Sequence, residues 1–163
     1  LYILIMALIF YRFLFFRLEP KQLTPPYWIS MGAVAITTLA GDTLILSADQ
    51  WTFLVELLPI LKGVNVFFWA TATWWIPLLV ILGVWRHLYR RYTWGYDAQY
   101  WGLVFPLGMY TTCTFQLARA LELPFLASIP RGFVWLALAA WSLTFAALVW
   151  RLVNNLILAP LRH

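Results

Sequence analysis

Apolar residues fall into five long runs separated by short polar connections. The runs cover residues 1–16, 27–46, 63–85, 98–121 and 132–150. A helix needs roughly 20 apolar residues to cross the hydrocarbon core of a bilayer, so the last four runs are long enough and the first is borderline. Residues 51–62 are also apolar, but Glu56, Pro59 and Lys62 interrupt them. This segment is predicted to be an interfacial or re-entrant helix that leads into the third run.

Composition supports a membrane protein built only from α-helices. Hydrophobic residues make up 64% of the 163 residues, charged residues 10%, and the mean hydropathy is +0.81, far from an average soluble domain. The first run starts with neither a Met nor a polar leader, and a cleaved signal peptide is disfavoured because no small-residue cleavage site precedes the Arg-containing segment. We therefore expect residues 1–163 to be a single transmembrane domain, the C-terminal portion of a longer chain.

An internal repeat relates the second and fourth runs. The segment YWISMGAVAITT at 27–38 aligns with YWGLVFPLGMYT at 100–111, an offset of 73 residues. Each segment is followed by an outer connection and a second, more hydrophobic run. The repeating unit is therefore predicted to be a helical hairpin that pairs one small-residue helix with one bulky helix.

Small residues mark one helix of each hairpin as interior, because Gly, Ala, Ser and Thr gather where a helix faces another helix or a cavity. The bulky helices, rich in Leu, Val, Phe and Trp, are expected outside against lipid. The candidate pore-lining residues on the two inner helices are Gly32, Ala35, Gly108, Thr112 and Gln116.

Pro106 is predicted to bend or locally unwind the fourth run, because it removes a backbone donor and pushes against the carbonyl of Gly102. Helical spacing places Phe105, Gly108, Met109, Thr112 and Gln116 on one face. That face would combine backbone, hydroxyl and amide groups with one aromatic plug. The residues alone leave two interpretations open, a permeation path and a kinked helix that only packs against its neighbours.

The chemistry-bearing residues argue against an enzyme. HExxH, GxSxG and metal-spaced His or Cys motifs are absent from the sequence, so no cofactor or metal is expected. Asp42, Asp49 and Asp97 are expected in loops, where turn-forming and capping roles are the default. With the inner-helix cores free of charged residues, a neutral path with charges at its mouths is favoured over an internal charged site.

Lys and Arg counts give the orientation. Alternate connections hold eight basic residues on one side, which include Arg86, against three on the other, which include Arg119. The richer side, with the C-terminus, is therefore predicted to be cytoplasmic. Arg119 and Arg86 are the candidates for anion attraction at the two mouths. The net charge of +5 follows from topology, and no nucleic-acid partner is expected.

The chain resembles the tellurite-resistance and dicarboxylate transporter family, which includes the slow anion channels of plants. The resemblance rests on PPYWISMGAVAITTLAG, on FFWATATWWIPLLVILGVWR and, most specifically, on YWGLVFPLGMYTTCTFQLARA. It implies helices six to ten of a ten-helix fold, with five tandem hairpins whose odd-numbered inner helices surround a pore. It also implies trimers with one pore per subunit, and a phenylalanine of the ninth helix that occludes the pore. Phe105 occupies that position here.

The resulting expectation is an anion channel or transporter of the bacterial inner (plasma) membrane. It would pass small anions or dicarboxylates through a neutral pore gated by Phe105, with membrane lipids and copies of itself as partners. A non-conducting membrane resistance or interaction protein is the alternative. An intramembrane enzyme would need catalytic residues from outside this chain.

Overall fold

The computed structural model describes residues 2–91 and 96–155. Five α-helices make up these ranges, and no strand occurs within them. The helices are α1 (Tyr2–Phe15), α2 (Ile29–Leu46), α3 (Thr52–Val84), α4 (Trp101–Ala120) and α5 (Ser128–Val153). The prediction of an all-α membrane protein is confirmed.

Local sequence explains where the two inner helices begin and end. A 3-10 turn that begins at Pro25 leads into α2, and a second turn, capped by the Asp97 carboxylate at the N–H of Gln99 (2.9 Å), leads into α4. The α4 helix ends where Glu122 adopts a left-handed backbone (φ 56°) and the N–H of Leu123 reaches back to the carbonyl of Ala118 at 2.9 Å. This is the usual way of satisfying the last carbonyls of a helix, here without glycine.

The segment 51–62 is not separate from the helix that follows it. Residues Thr52–Val84 form one continuous helix of 33 residues that includes Pro59 and Pro77. At 1.5 Å per residue such a helix is about 50 Å long, well beyond the hydrocarbon thickness of about 30 Å. The helix is therefore longer than a perpendicular crossing requires, and Gly63 does not mark the start of a separate helix.

Three helical segments of the described chain are long and apolar enough to cross a membrane: Pro25–Leu46, Thr52–Tyr89 and Pro124–Val153. The α1 helix is apolar but has only 14 residues. The α4 helix has 20 residues but is the least apolar of the four long helices. Gln116 and Arg119 are the main reason, since α2 contains the same numbers of Gly and Thr residues as α4.

Packing separates the helices into an inner pair and two outer helices. The α2 helix lies between α3 and α4, and α5 packs on α4. Nine of the 20 residues of α4 are buried, but only two of the 26 residues of α5. The two predicted hairpins are therefore α2 with α3 and α4 with α5, and their small-residue helices lie side by side.

Candidate functional site

The two inner helices meet at a glycine and a proline. A Cβ atom added at Gly32 would stand 3.0 Å from Cγ of Pro106, and one added at Gly102 would stand 3.5 Å from the Cα of Pro26. Because both contacts progress in the same chain direction, α2 and α4 run parallel. Pro106 is buried within an α4 that stays helical from end to end, so the predicted local unwinding does not occur.

An open face runs along α4 beside this contact. It consists of Phe105, Gly108, Thr112, Gln116 and Arg119, which recur every three or four residues. Phe105 is 53% exposed, and a Cβ atom added at Gly108 would have no neighbour within 4 Å. The structure thus brings the sequence-predicted residues of α4 together on one uncovered surface, which we call the α4 open face.

The hydroxyl groups on α4 are engaged within the helix. Thr112 donates to the carbonyl of Gly108 at 3.1 Å, and Thr111 donates to the carbonyl of Leu107 at 2.8 Å. A hydroxyl that donates its hydrogen in this way offers only lone pairs to the surroundings. In this rotamer Thr112 supplies polarity to the open face but no donor for an anion.

Arg119 brings a cation to the open face. Its Nη1 donates to Oε1 of Gln116 at 3.2 Å, and Arg119 is exposed. The contact orients the amide of Gln116 next to the guanidinium. The last turn of α4 therefore carries both the positive charge and the polar amide that the sequence placed there.

Gly32 and Ala35 lie elsewhere. Both are buried between helices, Gly32 against Pro106 and Ala35 in the core cluster with Trp75 and Tyr110. The small residues on the uncovered side of α2 include Thr37 and Ala40 instead. Small side chains suit close packing and a pore wall equally, so composition alone does not show which way they point.

Arg86 lies apart from the open face, at the end of α3. The helix continues there as a π-helical turn, Trp85–Tyr89, in which the N–H of Arg90 bonds to the carbonyl of Trp85 at 2.9 Å. Arg86 is buried and lines a largely apolar cavity of about 350 Å³. Other residues that line the cavity are Tyr27, Trp28, Leu79, His87 and Tyr100.

Asp42 is the polar residue that the sequence analysis misplaced. It lies within α2 and not in a loop, it is completely buried, and its Oδ1 accepts a hydrogen bond from Nδ2 of Asn65 on α3 at 2.6 Å. The expectation that the cores of the two inner helices contain no ionisable residue was therefore wrong. Its spacing from Ala35, Thr38 and Ile45, which are all buried, was the signal that could have placed it inside.

A second polar contact joins α3 to α4. Nε1 of Trp69 donates to Oγ1 of Thr114 at 3.0 Å, and the hydroxyls of Thr73 and Tyr110 are 2.9 Å apart. Within the described residues, no three His, Cys, Asp or Glu side chains cluster closely enough to hold a metal ion. The Trp69–Thr114 and Thr73–Tyr110 pairs therefore serve contacts between α3 and α4.

Tandem helical hairpins with a partly polar open face on an inner helix define the class of this molecule, a multi-pass membrane protein with the layout of a transport protein. The sequence profile of the SLAC1 family, described as voltage-dependent anion channel, matches residues 1–149. The chain belongs to that family, as the resemblance predicted.

Individual relatives extend the comparison. An uncharacterised membrane protein of Mycobacterium tuberculosis is 41% identical over 156 residues, which are 96% of this chain and 79% of that protein. An uncharacterised transporter of Methanocaldococcus jannaschii is 24% identical over 144 residues, which are 88% of this chain and 40% of the transporter. No solved structure matches the chain. The matched part of this chain therefore corresponds to most of the Mycobacterium tuberculosis protein but to less than half of the Methanocaldococcus jannaschii transporter.

Proposed function

We propose that the chain belongs to an anion channel or transporter of the bacterial inner membrane, oriented with its C-terminus in the cytoplasm, and that the α4 open face lines its permeation path. The membership in an anion channel family supports the transport of anions. The main support for this path is the α4 open face itself, which is uncovered from Phe105 to Arg119 and lies beside the buried Pro106.

In this proposal the path is neutral along its length. Gly108 leaves room, and Thr112 and Gln116 contribute polarity without a fixed charge. Because Thr112 bonds back to its own helix, it would hold an anion only weakly, which favours passage over tight binding. Phe105 would occlude the path, and the buried Pro106 ring would fix the helix turn that carries it.

The charges act at the ends of the path. Arg119, one turn beyond Gln116, would raise the local concentration of anions at one mouth. Arg86 would do so at the opposite side, where it lines the cavity at the end of α3. Arg162, another of the eight basic residues predicted on that side, lies outside the described residues.

The complete path needs more than the described helices. Two inner helices, α2 and α4, do not surround a lumen by themselves. We propose that the chain supplies helices six to ten of a ten-helix subunit that assembles as a trimer with one pore per subunit. The relative of which this stretch covers 40% is long enough for such a subunit, whereas the relative of which it covers 79% is shorter.

Flux measurements on the complete protein test the proposal. Purified protein in liposomes should pass at least one of chloride, nitrate, sulfite and malate faster than protein-free liposomes, without any added cofactor. The choice among these ions would separate small inorganic anions from dicarboxylates. Absence of flux for all four, with protein that remains folded, would contradict transport.

A non-conducting membrane protein is the second candidate. The back-bonded hydroxyls of Thr111 and Thr112 and the burial of Gly32 in the helix contact are what simple helix packing requires. This candidate predicts that bulky substitutions on the α4 open face change nothing that can be measured. The substitution of Gly108 considered in the Discussion distinguishes the two.

A further inference from the structure

A carboxyl group lies inside the helix bundle, and only one of its two oxygens accepts a hydrogen bond. Asp42 is completely buried. Its Oδ1 accepts the 2.6 Å hydrogen bond from Asn65, whereas its Oδ2 is buried and has no partner among the described residues. An ionised carboxylate with an unpaired oxygen is costly to bury, by several kcal/mol.

Among the described residues, the groups around Asp42 supply dipoles but no positive charge. From α3 the group that faces it is the neutral amide of Asn65, and from α4 it is the thiol of Cys113. Cys113 is itself buried and donates to the carbonyl of Tyr110 at 3.3 Å. Lys62, the nearest cation along α3 from Asn65, has an exposed side chain. These groups leave the charge of an ionised Asp42 uncompensated.

Asn65 is held firmly in place opposite Asp42. It is 3% exposed, and a Cβ atom added at Gly41 would collide with its amide, with Cγ at 2.7 Å. Gly41 thus lets α3 approach α2 closely enough for the amide to reach the carboxyl. Asp42 and Asn65 therefore form a well-packed polar contact between the inner helix α2 and the outer helix α3.

We propose that Asp42 and Asn65 form a proton-binding site whose occupancy controls anion flux, an inference that rests on the proposed transport function. A hydronium ion transfers its proton to Oδ2 of Asp42 and becomes a water molecule, and the reverse transfer occurs as the pH rises; no other covalent bond changes. A metal ion fits less well, because hard cations take six or more oxygen ligands and the described residues offer no cluster of acidic side chains.

Protonation has two consequences for transport. With a proton on Oδ2 the carboxyl is neutral, and α2 packs tightly on α3 through the bond to Asn65. After the proton leaves, a negative charge on an inner helix opposes the entry of anions, and α2 must move for water to reach it. Asp42 lies four residues from the end of α2, about 6 Å along the axis, so a small opening admits water.

The test uses the complete protein in liposomes, with equal pH on both sides and a series of pH values. Wild-type anion flux should rise as the pH falls. Asp42→Asn, which is neutral at every pH, should keep the high flux and lose the pH dependence. Asp49→Asn is the matched control, because Asp49 is exposed in a short turn, and it should behave as wild type.

Infrared spectroscopy measures the proton without relying on transport. The wild type should show a carboxylic-acid C=O stretching band that persists to higher pH than that of exposed carboxyls and shifts when aspartate is isotopically labelled. Asp42→Asn should lack it. If Asp42→Asn does not fold, the isotope shift of the band in the labelled wild type still shows whether the band belongs to an aspartic acid.

The outcomes separate the two proposals. Absence of anion flux at every pH would contradict the transport function and leave the infrared band as the test of the proton site. Flux that does not depend on pH in the wild type, or a pH dependence that survives in Asp42→Asn, would overturn proton control while transport stands. Lack of the labelled band would overturn the site itself and leave the pair as a simple packing contact.

Discussion

Gly32 of α2 lies directly against Pro106 of α4, since a Cβ atom at Gly32 would stand 3.0 Å from the Cγ of the proline. A Cβ contact of 3.0 Å is tighter than most that real side chains make, and the proline ring has little freedom to move away. Glycine therefore permits the approach of the two inner helices at this level. Phe105 directly precedes the proline, so this contact also fixes the helix turn that carries Phe105.

Gly32→Leu should destabilise the protein by about 1–3 kcal/mol, because the added side chain forces the inner helices apart. Gly63→Leu is the control, since a Cβ atom at Gly63 meets nothing within 4 Å. The free energy of unfolding in detergent, followed by denaturant titration, measures both. Equal stability of the two variants would contradict the role of Gly32 as a contact residue.

Helical spacing predicted which residues share one side of α4, but not that this side is uncovered. Phe105, Gly108, Thr112 and Gln116 recur every three or four residues, and a helix must place such residues on one side whatever surrounds it. The structure leaves this side uncovered. Gly32 and Ala35 were assigned to the pore wall by their small size alone, and both are buried between helices here. Small residues suit a buried face and a lumen face equally, so size does not distinguish the two.

Two other features depended on tertiary contacts that the sequence does not display. Asp42 stands near the end of its apolar run, where a loop is the usual place for a carboxyl, but Asn65 on the next helix gives it a partner inside. The segment before Gly63 contains Pro59 and Lys62, which favour a break, yet α3 passes through both. A helix tolerates these residues where a solvated or interfacial turn accommodates them.

Thr114→Val should cost about 1 kcal/mol of stability, because valine keeps the shape but removes the acceptor for Nε1 of Trp69. Thr114→Ser retains the hydroxyl and should cost less. Thr71→Val is a further control, since the Thr71 hydroxyl bonds back to the carbonyl of Phe67 in its own helix. Unfolding in detergent gives the three values, and the same loss for Thr114→Val and Thr71→Val would show that the bond between helices contributes nothing.

Gly108→Leu should leave stability unchanged and abolish most of the anion flux. A Cβ atom at Gly108 meets nothing within 4 Å, so the larger side chain extends into the space beside the α4 open face without overpacking. Gly132→Leu on α5, also an uncrowded position, should affect neither property. Normal flux through a folded Gly108→Leu protein would favour the non-conducting alternative.

Arg119→Gln should reduce anion flux about two- to threefold at low ionic strength, since one charge about 8 Å from a passing anion contributes ~0.5 kcal/mol in water. The difference should vanish at high salt, where the charge is screened. Arg131→Gln, a charge removed from an exposed position on α5, is the comparison. A reduction that persists at high salt would indicate a structural role for Arg119.

Phe105→Ala should raise anion flux about tenfold, which corresponds to a barrier lowered by about 1.4 kcal/mol. The phenyl ring is 53% exposed on the α4 open face, so its removal opens space without leaving a cavity in the packed core, and stability should change little. Phe67→Ala is the matched control, because Phe67 is 60% exposed on the outer helix α3 and should not obstruct the path. Flux in liposomes, normalised to folded protein, compares the three proteins. If Phe105→Ala and Phe67→Ala conduct like the wild type, then Phe105 is not the gate, and the occlusion must lie elsewhere along the path.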